Sequence, residues 1–169
     1  EPDVIPALES LRNCHPPTCS VEVIILINQR EDDPPEVEAL HQSTIDKVRT
    51  WITSSPSRIS FHLATVKDLP ARHAGVGLAR KIVMDEAAWR LVKAGQPGGI
   101  ITGFDADCRC DVNYLQVVEK DFMSYGLNGA SIYFEHPFDS LQDEHLIAGI
   151  TGYELHLRYF ILAQRFAGF

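Results

Sequence analysis

The sequence predicts an α/β sandwich with a mainly parallel central sheet, and three observations carry that prediction. VEVIILIN (21–28) is an almost unbroken β-branched and aliphatic run, the composition of a strand covered on both faces. Strand-like and helix-like patterns then alternate along the chain, the order that builds α/β layers. Three strand-like runs leave on polar residues: Asn28-Gln29-Arg30-Glu31, Lys67-Asp68 and Asp105-Ala106-Asp107. Parallel strands gather such exits at one sheet edge, where α/β proteins bind ligands.

Residues 1–20 read as an extension, a short helix from Pro6 to Arg12 followed by a Pro/Cys loop. After the first strand, REDDPPE is a loop whose prolines end the strand and start a helix. That helix is expected from Glu36 to Thr53, with Val37, Leu40, Ile45, Val48 and Ile52 broadly on one side. ISFHLATV (59–66) is the second strand. The next helix starts near Val76 or Gly77, carries Ala79, Ile82, Val83, Ala87 and Leu91 at helical spacing, and stops at GQPGG. Trp51 and Trp89 fall inside the helical patterns and read as packing residues. GIITGF (99–104) is the expected third strand, 112–125 a helix, SIYFE (131–135) a fourth strand. Much of 142–167 is a last helix that Gly149 and Gly152 would interrupt.

A length of 169 residues suits one domain with a real core. With 45% hydrophobic and 22% charged residues the chain is not disordered as a whole. A net charge of −8 argues against nucleic acid, whose phosphates need a basic field. No run of about eighteen apolar residues could span a membrane, and no secretory signal pattern is visible. The first residue is Glu, as expected for a piece of a longer protein. The four cysteines lie in two sequence pairs, Cys14/Cys19 and Cys108/Cys110. Their spacings differ from the C-x2-C zinc knuckle, so two readings stand: reduced thiols of a cytoplasmic protein, or a zinc site with His15.

The chemistry concentrates in GFDADC. Two carboxylates one residue apart at a buried strand's end repel unless a cation or shared proton relieves them, and Mg2+ or Mn2+ takes such oxygen ligands. The blander reading is a solvated strand end or the cap of the next helix. HAGVGLARK (73–81) adds a glycine-loosened helix start, a position that favours anions. Arg80 and Lys81 sit against the dipole there, which points to an anionic partner such as a diphosphate. Alternatively Arg80 pairs with Asp68 or Asp107. His136 and His145 are either metal ligands or, more plainly, packed or surface histidines.

Taken in order, three segments resemble the GT-A nucleotide-diphospho-sugar transferases, in particular the family 2 glycosyltransferases. VEVIILINQRE resembles that family's first strand, GVGLARKIVMDEA its G-x-x-x-A-R-N-x-G-x-x-x-A helix start, and GIITGFDADCRCDVNYL its strand with the D-x-D motif. Leu26, Asn28 and Lys81 depart from the family's Pro, Tyr and Asn. The resemblance implies a Rossmann-like three-layer GT-A sandwich over residues 21–169, with the acceptor half beyond the D-x-D largely missing. It implies a glycosyltransferase using a nucleotide-sugar donor, UDP-sugar first among these, and an unknown glycan, lipid or small-molecule acceptor. Ile27, Asn28, Gln29 and Asp68 would lie against base and ribose, Arg80 against the diphosphate. Asp105 would meet ribose or sugar hydroxyls directly or through the metal, and Asp107 would be the principal ligand of Mn2+ or Mg2+. An inverting enzyme also needs a carboxylate base. Asp139, Asp143, Glu144 and Glu154 are the choices, with Glu154 the candidate catalytic residue. The expected location is cytoplasmic, with membrane association open for a longer protein.

Two other classes stay in view. D-x-D after a buried strand also resembles the first motif of haloacid dehalogenase-like phosphatases, although Cys108 follows the second Asp and Lys120 is the only later lysine. A non-catalytic nucleotide-binding module would keep the same loops without turnover.

Overall fold

The structure is a computed structural model that describes residues 3–54, 56–138 and 141–168. It divides into two compact units, Glu1–Asn128 and Gly129–Phe169. The described residues form a mixed α/β fold, with a two-strand parallel sheet and five helices. In chain order these are α1 (Ile5–Arg12), β1 (Glu22–Arg30), α2 (Pro35–Ser54), β2 (Ser60–Leu69), α3 (Val76–Lys93), α4 (Tyr114–Tyr125) and α5 (Glu144–Phe166). No helix among the described residues is long and apolar enough to cross a membrane.

The first unit is organised by β1-α2-β2. The strands pair in parallel from Glu22↔Ser60 to Asn28↔Val66. A parallel pair needs a long crossover, and α2 supplies it. Pro35 begins α2, and Glu36 and Glu38 in its first turn oppose the positive end of the helix dipole. Its buried stripe is His41, Ile45, Val48 and Trp51. The stripe is shifted from the expected one: His41 joins it, and Leu40 is 56% exposed. Leu8, Ile25, Val48 and Trp51 form the core, with Val23, Phe61 and Leu63 packed against it. Complete burial of Val48 contributes about 1.5–3 kcal/mol relative to exposure. α1, expected as part of an extension, supplies Ala7, Leu8 and Leu11 to the interior. α3 lies against β1, and Arg90 donates from α3 to Glu22 at 3.1 Å. Trp89 departs from its expected packing role: it is 57% exposed, with the Lys93 ammonium 5.4 Å from its ring.

Two expected strands do not form. Ile100–Phe104 and Ser131–Glu135 carry strand-like composition, yet neither is paired into a sheet. Three glycines, at 98, 99 and 103, flank or enter the first run and weaken any ladder there. Gly99 has a packing reason, since a Cβ on it would fall 2.4 Å from Leu91 Cδ2. In the second run Tyr133 and Phe134 remain 68% and 51% exposed, and no strand among the described residues pairs with this run. The expected mainly parallel multi-strand sheet is therefore corrected to two strands among the described residues. The described residues do not build the expected three-layer GT-A sandwich.

The segment after the missing third strand is instead tied to the N-terminal loop. His15 N donates to Val112 O at 2.6 Å, and Gln116 Nε2 to Pro16 O at 3.1 Å. Glu119 on α4 accepts from Thr18 Oγ1 (2.6 Å), Thr18 N (2.9 Å) and Cys19 N (2.8 Å). These bonds, led by the Thr18 hydroxyl, lower the Glu119 carboxyl from 4.5 to about 2. A depressed carboxyl contributes stability that is present above its unfolded value and lost as pH falls through the folded one. Melting temperature measured against pH should therefore drop between about 4.5 and 2, and Glu119→Gln should flatten that drop. Identical acid limbs in the two proteins would show that the loop does not depend on the charged carboxylate. α4 ends at Gly126, whose φ of 59° is the left-handed cap that glycine adopts freely.

In the second unit α5 runs unbroken through Gly149 and Gly152, contrary to the expected interruption. Asp143 caps it, accepting from His145 N at 2.9 Å and Leu146 N at 3.3 Å.

Candidate functional site

The carboxyl ends of β1 and β2 are irregular. Register slips between Asn28 and Arg30, where Arg30 pairs with Leu69, and Asp68 takes a φ of 58°. Such a bulge re-aims side chains at a sheet edge, and a left-handed non-glycine residue marks local strain. Both departures fall on residues expected to meet a nucleotide, Gln29 and Asp68.

Ile27 and Gln29 face α2, where with His41, Ile45, Thr65 and Lys67 they line a cavity of about 10 Å3. That volume suits at most one water, so no base enters between sheet and α2. Asn28 alternates to the opposite face. Arg30 is engaged at once by Asp32, with both guanidinium contacts at 2.8 Å. A larger cavity of about 400 Å3 lies at the other end of β2, lined by Arg12, Trp51, Ser57, Ser60 and Phe61. It is away from the carboxyl edge, and its Arg12 is stacked 3.4 Å over the Trp51 ring.

On the α3 side, Arg80 projects from near the start of the helix and meets Asp105 at 2.5 Å. Of the alternatives weighed for Arg80, neither Asp68 nor Asp107 is its partner. Lys81 turns along the helix to Asp85. Asp105 and Asp107 stand on a turn closed by Cys108 N donating to Asp105 O at 3.1 Å. All of Asp105, Ala106 and Asp107 are exposed. Asp107 makes no ion pair among the described residues; its near neighbour is the Cys108 thiol at 3.8 Å. That thiol is pushed up by burial first, then by the negative fields of Asp107 and Asp105. Both carboxylates therefore stand near enough to the thiol to disfavour its charged form.

The described residues hold no group of three or more His, Cys, Asp or Glu side chains set to bind a metal. Asp105 and Asp107 would hold Mg2+ or Mn2+ only together with ligand oxygens and water. Mg2+ is commonly bound that way, by one or two carboxylates plus phosphates.

Glu154 lies in the second unit and is already engaged. Its Oε1 accepts from His136 N at 2.8 Å and contacts His136 Nδ1 at 2.9 Å, and Arg158 stands 3.5 Å from Oε2. These contacts, the His136 ring first, lower its carboxyl below the ordinary value. Arg158 also donates to Tyr133 Oη at 2.7 Å, which pins the stretch around Tyr133 to α5. His136 is thus a packed partner of Glu154, and Asp143 a helix cap. Glu144 falls in the first turn of α5. Asp139 lies outside the described residues.

The cysteines do not pair as the sequence pairs them. Cys14 Sγ stands 3.6 Å from Cys110 Sγ, whereas Cys19 and Cys108 are exposed. A contact across 96 positions leaves no local trace in the sequence. No protein-family model, no curated protein and no solved structure matches the chain.

Proposed function

We propose that this chain is the donor-binding part of a glycosyltransferase of the GT-A, family 2 kind, taking a nucleotide-diphospho-sugar with Mn2+ or Mg2+. One observation carries the reading: Arg80 of GVGLARK meets Asp105 of GFDADC, 25 positions away, while Asp107, two residues on, makes no ion pair among the described residues. The pair is about half exposed on both sides, so it adds little stability and a bound diphosphate can take it over. Arg80 then receives phosphate oxygens, freeing Asp105 for ribose or sugar hydroxyls, and Asp107 becomes the principal metal ligand. A metal bound there would neutralise charge on the departing diphosphate. Asn28 and Asp68 at the irregular strand ends remain the candidates for base and ribose, with Ile27 and Gln29 acting through the backbone that carries them. The reading goes with a UDP-sugar as first choice of donor, an unidentified glycan, lipid or small-molecule acceptor, and a cytoplasmic location.

Calorimetric titration of UDP and GDP, with and without Mn2+, tests it. Metal-dependent binding of one nucleotide is expected, with affinity lost at least about tenfold in Asp107→Ala, since losing even a group that only orients a metal ligand costs about 10–100-fold. Absence of binding under every condition, or equal binding by Asp107→Ala, would overturn the reading.

A second reading is a nucleotide-binding module without turnover, favoured by the engaged state of Glu154. A carboxylate whose charge is already stabilised by His136 and Arg158 is a weak proton acceptor. Release of free sugar from a UDP-sugar in the presence of Mn2+ separates the two, since a pure binder gives none.

A further inference from the structure

We propose that Cys14 and Cys110 are a redox-modification site that closes to a disulfide, covalently tying α1 to the segment leaving the Asp105–Asp107 turn. The inference stands independently of the nucleotide reading. Both residues are free thiols with their sulfurs 3.6 Å apart. Closing that gap to a bond of about 2.05 Å asks for roughly 1.5 Å of sulfur movement, within reach of side-chain rotation.

The backbone around the pair is already fastened. His15 N donates to Val112 O at 2.6 Å, and Cys110 N donates to Ser10 Oγ at 3.2 Å. Cys14 Sγ lies 3.4 Å from Ser10 O and 3.6 Å from Asp111 O, so the same two strips of chain hold both thiols. Cys110 is half-buried and reachable, whereas Cys14 is buried and its thiol is pushed up to about 11, by burial first and then by Cys110. Cys110 is therefore the first to react. Its thiolate attacks one sulfur of a low-molecular-weight disulfide such as oxidised glutathione, releasing one glutathione thiolate. Cys14 then gives its proton to solvent and attacks the Cys110 sulfur of the mixed disulfide, expelling the second glutathione. Two protein thiols lose two electrons, and one small disulfide becomes two thiols.

The test oxidises the full chain with oxidised glutathione, blocks remaining thiols with N-ethylmaleimide, and maps tryptic peptides by mass spectrometry. Cleavage after Arg109 separates Cys108 from Cys110, so the expected product joins peptide 13–30 to peptide 110–120. Two of the four thiols should be lost, and the melting temperature should rise by about 5–15 °C, as for a cross-link closing a long loop. The Cys19→Ser/Cys108→Ser protein should give the same cross-link, which assigns it to Cys14 within peptide 13–30, and Cys110→Ser should abolish it. Modification confined to Cys19 and Cys108, a cross-link between other cysteines, or retention of all four thiols in the natively folded chain would overturn the proposal.

Discussion

Replacing Trp51 by alanine is expected to destabilise the Glu1–Asn128 unit by about 3–5 kcal/mol, the usual cost of emptying a buried aromatic site. Trp51 is 8% exposed, and its ring meets Phe61 edge-on at 4.9 Å between centroids. The Arg12 guanidinium stacks over the ring at 3.4 Å, and the indole N–H donates to Glu9 Oε1 at 2.5 Å. One side chain therefore joins α1, α2 and β2. Trp51→Phe keeps most of the ring and loses the hydrogen bond, worth about 0.5–1.5 kcal/mol, so a smaller loss near 1–2 kcal/mol is expected. Urea unfolding followed by far-ultraviolet circular dichroism measures both, because the exposed Trp89 complicates fluorescence. For Trp51→Ala the midpoint should fall by about 1 M or more. A loss below about 1 kcal/mol would mean that α1 and β2 are held together without this side chain.

How far the sequence could be read follows from which interactions are local. The helices around Ala79–Leu91 and Ile45–Trp51 declare themselves by spacing, and α2 and α3 form within a residue or two of the expected bounds. The strands Glu22–Arg30 and Ser60–Leu69 likewise show their apolar runs, and a single helix joins them in parallel. Ile100–Phe104 has a strand's composition without a partner, and pairing is a property of two segments that one segment cannot display. Leu40 and His41 exchange expected places because a stripe of period 3.6 drifts, and the neighbouring sheet decides which edge is covered. At the candidate site the charges were visible, but the choice of Asp105 over Asp68 or Asp107 as the partner of Arg80 is a tertiary matter. The same holds for Glu119 with Thr18, 101 positions apart, and for Cys14 with Cys110. The N-terminal loop thereby becomes a fixed neighbour of the chain that follows the aspartates.

A protein starting at Val21 is expected to lose cooperative folding of the sheet, although residues 1–20 look like an extension to a domain beginning there. α1 and the residue two beyond it contribute Ala7, Leu8, Leu11 and Cys14, four of the ten buried apolar side chains among the described residues. Full burial of Leu8 and Leu11 alone is worth about 1.5–3 kcal/mol each. Their removal also uncovers Trp51 and Ile25, so apolar surface is lost on both sides of the contact. Against a typical total of about 5–15 kcal/mol, the deficit takes a large share of what holds the unit together. Thr18 and Cys19 leave as well, so Glu119 gives up all three of its bonds. Thermal melts of the 21–169 chain should broaden or vanish, and addition of a peptide comprising residues 1–20 should restore part of the transition. Leu8→Ala in the full chain provides the graded version, with an expected loss of about 2–5 kcal/mol. A cooperative melt of 21–169 at the parent temperature would make α1 a passive cover, and the core would then have to be held by α2 and the two strands alone.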